Sequence, residues 1–66
     1  MNSTVNALTF KGWAVSHGIK QNDIAKLLGV SFQTVNNKLN GRRDFTLKEI
    51  KKLNEAYGVS ADIFLN

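Results

Sequence analysis

The chain has 66 residues, contains no cysteine or proline, and carries nine basic against five acidic residues, for a formal net charge of +4. This length allows one hydrophobic core and leaves no room for a second, and the lack of cysteine excludes a disulfide framework or a thiolate metal site. The positive charge favours an anionic partner such as nucleic acid, although many small domains carry similar charge for solubility.

We therefore expect residues 1–66 to form a single domain. No apolar run approaches the roughly 18 residues that cross a bilayer, and the first six residues lack the basic and apolar segments of a signal peptide. These features predict a soluble cytoplasmic protein without a membrane partner. His17 is the only histidine. It has no evident catalytic or metal-binding partner in so small a domain, so we expect no enzyme, cofactor, metal or small-molecule ligand.

Apolar residues recur mostly at helical spacing, which predicts an all-α fold with five helices. The first helix is expected from about Val5 to His17, after a cap at Ser3 or Thr4, and ends before Gly18. Two stripes compete for its buried side, and we favour the first: Phe10, Trp13, Ala14 and His17, against Leu8, Val15 and Ile19.

The second helix is expected over Gln21–Leu28, with Ile24, Ala25 and Leu28 on one face. It stops at Gly29. Ser31 can then cap a third helix over Phe32–Leu39, since its hydroxyl can accept from the early amides.

A fourth helix begins after Thr46, because Glu49 stands three residues later in the spacing of a capping box. Its inward face holds Ile50, Leu53 and Tyr57, and Gly58 ends it. Ser60 can cap a last short helical turn. The apolar residues of that turn predict a lid on the fourth helix, a dimer contact, or both: Ile63, Phe64 and Leu65.

The segment 21–41 predicts a helix-turn-helix, in which two short helices meet across Gly29 at a steep angle. Val30 and Val35 are expected to fill the wedge between the helix axes. Four residues of the third helix then face away from the core: Phe32, Gln33, Asn36 and Asn37. Amides are modest helix formers but pair well with base edges, and an exposed phenyl ring suits a thymine methyl group. We predict that these four residues contact bases in the major groove.

The same segment resembles the Cro/C1-type, or XRE, family of helix-turn-helix proteins. The resemblance rests on Gln21, Ile24-Ala25, Leu28-Gly29-Val30-Ser31, Thr34-Val35 and Leu39-Asn40-Gly41. Two later stretches look like the small phage-derived branch of that family: Asp44 to Ile50 and Gly58 to Phe64. The order and spacing of these pieces make the resemblance specific.

The resemblance implies a compact, five-helix, lambda-repressor-like domain that binds operator DNA as a homodimer. It further implies that Gln21 touches a phosphate, and that Gln33, Asn36 and Asn37 read bases. The chain departs from the family at Phe32, where a polar residue is common. It also departs at Ala14 and Leu39, where many members form an arginine–glutamate ion pair.

Phosphate contacts are expected around the recognition helix, where short polar and basic side chains can reach the DNA backbone. The predicted set beside Gln21 is Ser31, Thr34, Lys38, Asn40, Arg42 and Arg43. About six neutralised phosphates per dimer would give a slope near −5 of log affinity against log salt.

Two other functions fit the same scaffold. One is a protein-interaction module of the antitoxin or antirepressor kind, which the exposed Phe32 and the apolar end at Phe64 would suit. The other is an architectural DNA-binding protein without sequence preference. The amide-rich helix face favours base readout over the architectural function. The protein-interaction module stays open, and it differs from a DNA reader in showing neither steep salt dependence nor sequence discrimination.

Overall fold

The computed structural model describes the backbone of residues 6–64 and the side chains of residues 9–64. Within this range the chain forms four α-helices and one short 3₁₀ segment, with no strand. The helices are α1 (Asn6–Ser16), α2 (Gln21–Leu28), α3 (Phe32–Leu39) and α4 (Leu47–Tyr57), and the 3₁₀ segment is Ala61–Phe64. The predicted all-α fold is confirmed. The count of five helices is corrected to four, because the last turn is too short and tightly wound to be an α-helix.

The sequence signals that end and begin the helices lie where they were expected. Gly18, Gly29 and Gly58 each have a positive φ near 70° and follow the ends of α1, α2 and α4. At the start of α4, the Thr46 hydroxyl accepts from the N–H of Glu49, and the Glu49 carboxylate accepts from the N–H of Thr46. This reciprocal pair satisfies two amides that no helical bond can reach, and it fixes where α4 begins. The proposed caps Ser3 and Thr4 lie outside the described residues.

The core is built from the predicted stripe of α1 together with one face of each later helix. Phe10 is fully buried and Ala14 nearly so, whereas Val15 on the competing stripe is 71% exposed. The predicted stripe is confirmed at Phe10, Trp13 and Ala14. Of the competing stripe, Ile19 also packs against the core, and the side chain of Leu8 lies outside the described residues. The rest of the buried apolar cluster is Ile24, Ala25, Leu28, Val35, Leu39, Ile50, Leu53, Val59 and Phe64.

His17, although part of the predicted stripe, lies on the surface and stacks on Trp13, with ring centroids 4.1 Å apart. Its Nδ1 lies 2.8 Å from the carbonyl oxygen of Trp13. The side chain therefore packs over the end of α1 instead of entering the core.

The 3₁₀ segment closes the core over α1 and α4. Phe64 is buried, with its ring centroid 4.9 Å from that of Phe10 and 5.4 Å from that of Phe45. The predicted lid is confirmed, and it covers α1 as well as α4. The expectation that Phe64 also forms a dimer contact is corrected, because its ring is already occupied within the chain. Ile63 is half-buried against the core, and Leu65 lies outside the described residues.

Candidate nucleic-acid interface

The turn between α2 and α3 determines how α3 is presented. Gly29 adopts φ 70° and ψ 33°, the left-handed region that suits a residue without a side chain. The N–H groups of Gly29 and Val30 both donate to the carbonyl oxygen of Ala25, at 2.9 and 3.1 Å. A side chain at Gly29 would meet no neighbour within 4 Å, so the requirement is one of backbone conformation and not of space.

The first turn of α3 is held by a side-chain cap. Ser31 has an extended backbone, and its Oγ accepts from the N–H of Thr34 at 3.0 Å. The two hydroxyls also share a hydrogen bond of 2.9 Å. Because a hydroxyl has further acceptor capacity, Ser31 and Thr34 remain proposed phosphate contacts despite this local bond.

The two faces of α3 differ sharply in burial. Val35 is fully buried and Leu39 nearly so, and Val30 in the turn packs against the same core cluster. On the opposite side Gln33 is exposed, and the ring of Phe32 is 49% exposed. The inward face thus fixes α3 against the core and leaves the amide-rich face towards solvent.

The side-chain amides of Gln33 and Asn37 form a chain of hydrogen bonds with Arg42. Gln33 Nε2 donates to Asn37 Oδ1 at 3.3 Å, one helical turn away. The guanidinium of Arg42 donates to the same oxygen at 3.5 Å. Arg42 reaches this position because Gly41 (φ 79°) turns the chain back, and the N–H of Arg42 donates to the carbonyl oxygen of Asn37 at 2.9 Å.

Asn36 differs from the equally half-buried Asn37 in its hydrogen-bond partner. It is half-buried, and its Nδ2 donates to Oε1 of Gln21 at 3.4 Å, which links α3 to the start of α2. The second Nδ2 hydrogen and the Oδ1 of Asn36 have no partner within residues 9–64, so Asn36 can contact a base while it keeps its bond to Gln21. No side-chain hydrogen bond caps α2, whose first turn lies beside this pair.

A helix-turn-helix family model matches residues 14–64 of the chain. The match covers most of the sequence and includes both helices, the turn and α4. The chain belongs to the XRE family of helix-turn-helix proteins. No curated protein and no solved structure matches it significantly.

Membership of the XRE family makes this protein a DNA-binding regulator of that type. In residues 6–64 no helix has both the length and the apolar character to cross a membrane.

Lys38 was predicted to contact a DNA phosphate, but the structure buries it. Its side chain is only 5% exposed, and its ammonium forms an ion pair with the carboxylate of Glu49 on α4. The ammonium also lies 5.8 Å from the centre of the Phe45 ring. At this position on α3 the side chain points towards α4, so its charge is neutralised inside the protein and is not presented to DNA.

Asn40 is likewise occupied within the domain. Its Nδ2 donates to the carbonyl oxygen of Asn36 at 2.9 Å, and its Oδ1 accepts from the ammonium of Lys11 at 2.8 Å. These bonds close the carboxyl end of α3. The second Nδ2 hydrogen of Asn40 has no acceptor within residues 9–64, so Asn40 remains a proposed phosphate contact.

Sequence reasoning missed Lys11, which brings a cation from α1 to the end of the recognition helix. Lys11 and Asn40 are 29 residues apart. No local pattern predicts such a contact, because it depends on how α1 lies across α3. The structure therefore removes Lys38 from the cations available around α3 and adds the half-buried Lys11 at Asn40. Arg42 and Arg43 are exposed, as the prediction requires.

Proposed function

We propose that this XRE-family protein is a small phage or mobile-element repressor that binds an inverted-repeat operator as a homodimer. The observation that carries the proposal is the face of α3, where exposed Phe32 and Gln33 and the half-buried Asn37 project from a helix held rigidly by its inward side. Solvated helix faces usually carry charged residues, whereas amides match the donors and acceptors of base edges.

Each half-site would receive one α3 in its major groove, with Phe32 contacting a thymine methyl group and Gln33, Asn36 and Asn37 contacting base edges. Phosphate contacts would come from the start of α2 at Gln21 and from the polar and basic groups that flank α3: Ser31, Thr34, Asn40, Lys11, Arg42 and Arg43. These groups position the helix, and the amides specify the sequence. Repression follows if such a site overlaps a promoter.

Dimerisation is supported by size, since a 66-residue domain presents a small contact area and one half-site gives limited discrimination. Among the predicted dimer contacts within residues 9–64, Ile63 retains exposed surface. Leu65, two residues later in the chain, is the other proposed dimer contact. An inverted repeat with half-sites about one helical turn apart is the expected consequence of two-fold symmetry.

The experiment is the selection of tightly bound duplexes from a random pool, followed by titration of the winning duplex and a scrambled one. We expect an inverted repeat to be enriched and bound about 10³-fold or more tightly than the scrambled duplex. Asn37→Ala should reduce operator binding much more than binding to the scrambled duplex. Equal weakening of both would remove Asn37 from base readout, and enrichment of no sequence would overturn the repressor proposal.

A second function is favoured by one observation, the exposure of the Phe32 ring. A protein-interaction module would use this ring as an anchor in a partner's apolar pocket. The burial of Phe64 removes the second apolar anchor that this alternative relied on. Binding to a protein partner would survive high salt and would not distinguish DNA sequences, so the titration separates the two functions.

A further inference from the structure

Arg42 lies where it can set the orientation of the side-chain amides of α3. The turn at Gly41 places its guanidinium against Asn37, so that both the backbone and the side chain of Arg42 donate to that residue. Arg43, its neighbour, is exposed and makes no hydrogen bond or ion pair within residues 9–64. The two arginines thus carry the same charge, but only Arg42 contacts Asn37.

The contact fixes which way the Asn37 amide faces. A guanidinium has only donors, so the atom of Asn37 that meets Arg42 must be the carbonyl oxygen. Gln33 also approaches that oxygen and must therefore present its NH₂ group. One charged residue in this way sets the orientation of two amides in succession.

The consequence is a defined pattern on the outer surface of α3. Oδ1 of Asn37 already accepts two hydrogen bonds, which matches its two lone pairs. The NH₂ group of Asn37 has no acceptor among the described residues 9–64 and is left to face outward. Asn37 therefore presents two donors to a ligand, and Gln33 presents its free carbonyl oxygen.

An asparagine with both amide atoms free pairs with adenine, by accepting from N6 and donating to N7. With its oxygen occupied, Asn37 can no longer accept from N6. Guanine offers two acceptors, N7 and O6, on the same edge. The pattern on α3 thus suits guanine and opposes adenine.

We propose that Arg42 is a specificity-determining residue, which orients the Asn37 amide so that it donates to guanine and discriminates against adenine at the base pair it faces. The proposal rests on the proposed function, since it assumes that α3 reads operator DNA. Arg42 acts here through Asn37, as a positioning residue. A simple phosphate contact would add affinity without changing which base is preferred.

The test compares Arg42→Met with the matched control Arg43→Met on the selected operator. The base pair read by Asn37 is first identified as the one whose preference disappears in Asn37→Ala. Duplexes with guanine and adenine at that position are then titrated with each protein. We expect the wild-type chain to prefer guanine by about tenfold, Arg42→Met to lose most of this preference, and Arg43→Met to keep it while binding both duplexes more weakly.

Other outcomes would contradict the proposed role of Arg42. Equal weakening of both duplexes by Arg42→Met would show that Arg42 contacts phosphate only, and a wild-type preference for adenine would overturn the assigned polarity. Either result leaves the repressor proposal intact. Selection of no sequence at all would overturn both proposals.

A second measurement needs no DNA. In the free protein, Arg42→Met should shift the side-chain NH₂ signals of Asn37 and Gln33 in a ¹H–¹⁵N spectrum, and Arg43→Met should leave them in place. Unchanged signals in Arg42→Met would overturn the proposal. Because both arginines are exposed, both variants are expected to fold like the wild-type chain.

Discussion

The ammonium of Lys38 on α3 pairs with the carboxylate of Glu49 on α4, and both side chains are largely buried, at 5% and 13% exposure. Glu49 has a second role, because the same oxygen accepts from the N–H of Thr46 at the start of α4. The ion pair therefore connects the recognition helix to the cap of the next helix. Ala14 and Leu39, where the sequence departs from the ion pair that the family resemblance implies, are both packed in the core.

Replacing Lys38 by methionine is expected to destabilise the fold by about 2–3 kcal/mol, because it leaves the Glu49 carboxylate partly buried without its partner. The double variant Lys38→Met/Glu49→Gln should recover part of this loss, since it leaves no unpaired charge. Urea unfolding of the wild type, both single variants and the double variant measures the coupling between the two residues. Strict additivity of the single losses would show that the pair contributes no interaction energy.

Stability is also expected to fall in acid through Glu49. Burial by itself would raise the pKa of this carboxyl, but hydrogen bonds from Lys38 and from the Thr46 N–H, together with the Lys38 charge, lower it below the ordinary value of 4.5. A lowered pKa means that the unfolded chain takes up the proton first, so the stabilisation is complete above pH 4.5 and is lost as pH falls through the folded pKa.

The comparison that isolates this effect is Glu49→Gln, which cannot titrate. Between pH 6 and pH 3, its free energy of unfolding should decline less than that of the wild-type chain, with urea midpoints measured at each pH. Asp62→Asn is a suitable control, because Asp62 is exposed and its side chain makes no ion pair within residues 9–64. Parallel declines in all three proteins would assign the acid sensitivity to other groups.

The starts and ends of the helices could be predicted from sequence because the residues that set them act over short distances along the chain. The glycine stops, the Thr46–Glu49 box and the bounds of α2 and α3 agree with the structure, since each depends on backbone geometry or on short spacing. The aromatic cluster beneath the lid was not predicted. Phe45 joins Phe10 and Phe64 there, and that contact is set by how a loop between α3 and α4 crosses α1.

The candidate site was predictable in outline but not in its hydrogen bonds. Helical periodicity identified the outward residues of α3, yet it could not show that Lys38 turns towards Glu49, because that depends on the angle between α3 and α4. The same holds for Lys11 at Asn40, and for Arg42 at Asn37. Long polar side chains can point in several directions from one backbone position, and only the packed neighbours decide between them.

Two glycines should respond in opposite ways to alanine. Gly29→Ala forces a side chain into φ 70° and is expected to cost about 1 kcal/mol, although nothing lies within 4 Å of the new atom. Gly12 lies inside α1, is exposed and also has open space, so Gly12→Ala should stabilise by about 0.5–1 kcal/mol. Thermal unfolding of the pair measures both changes, and a gain in stability for Gly29→Ala would contradict the importance of the left-handed turn.

Phe32 should matter much more for binding than for folding. Its ring is half exposed, so Phe32→Ala is expected to lower the free energy of unfolding by about 1 kcal/mol or less. On the selected operator the same change should reduce the preference for thymine at one base pair, because the apolar contact with the methyl group is lost. If operator binding is unaffected, the exposed ring serves a protein partner instead.

The salt dependence of operator binding should distinguish the surface cation Arg43 from the buried cation Lys38. Each phosphate neutralised contributes about −0.9 to the slope of log affinity against log salt, so four to six phosphates per dimer give a slope of about −4 to −5. Arg43→Gln removes one cation from each protomer and should make the slope shallower by about 2. Lys38→Met should leave the slope unchanged, because the Lys38 charge is already paired with Glu49.

Titrations between 50 and 200 mM salt, below the unfolding temperature of each variant, provide these slopes. The Lys38 variant carries the same change in net charge as the Arg43 variant, so a general effect of charge would alter both slopes equally. A shallower slope in Lys38→Met alone would mean that the ion pair opens on DNA and that the ammonium reaches a phosphate. In that case Glu49 would compete with the operator for Lys38, and Glu49→Gln would bind the operator more tightly than the wild-type chain.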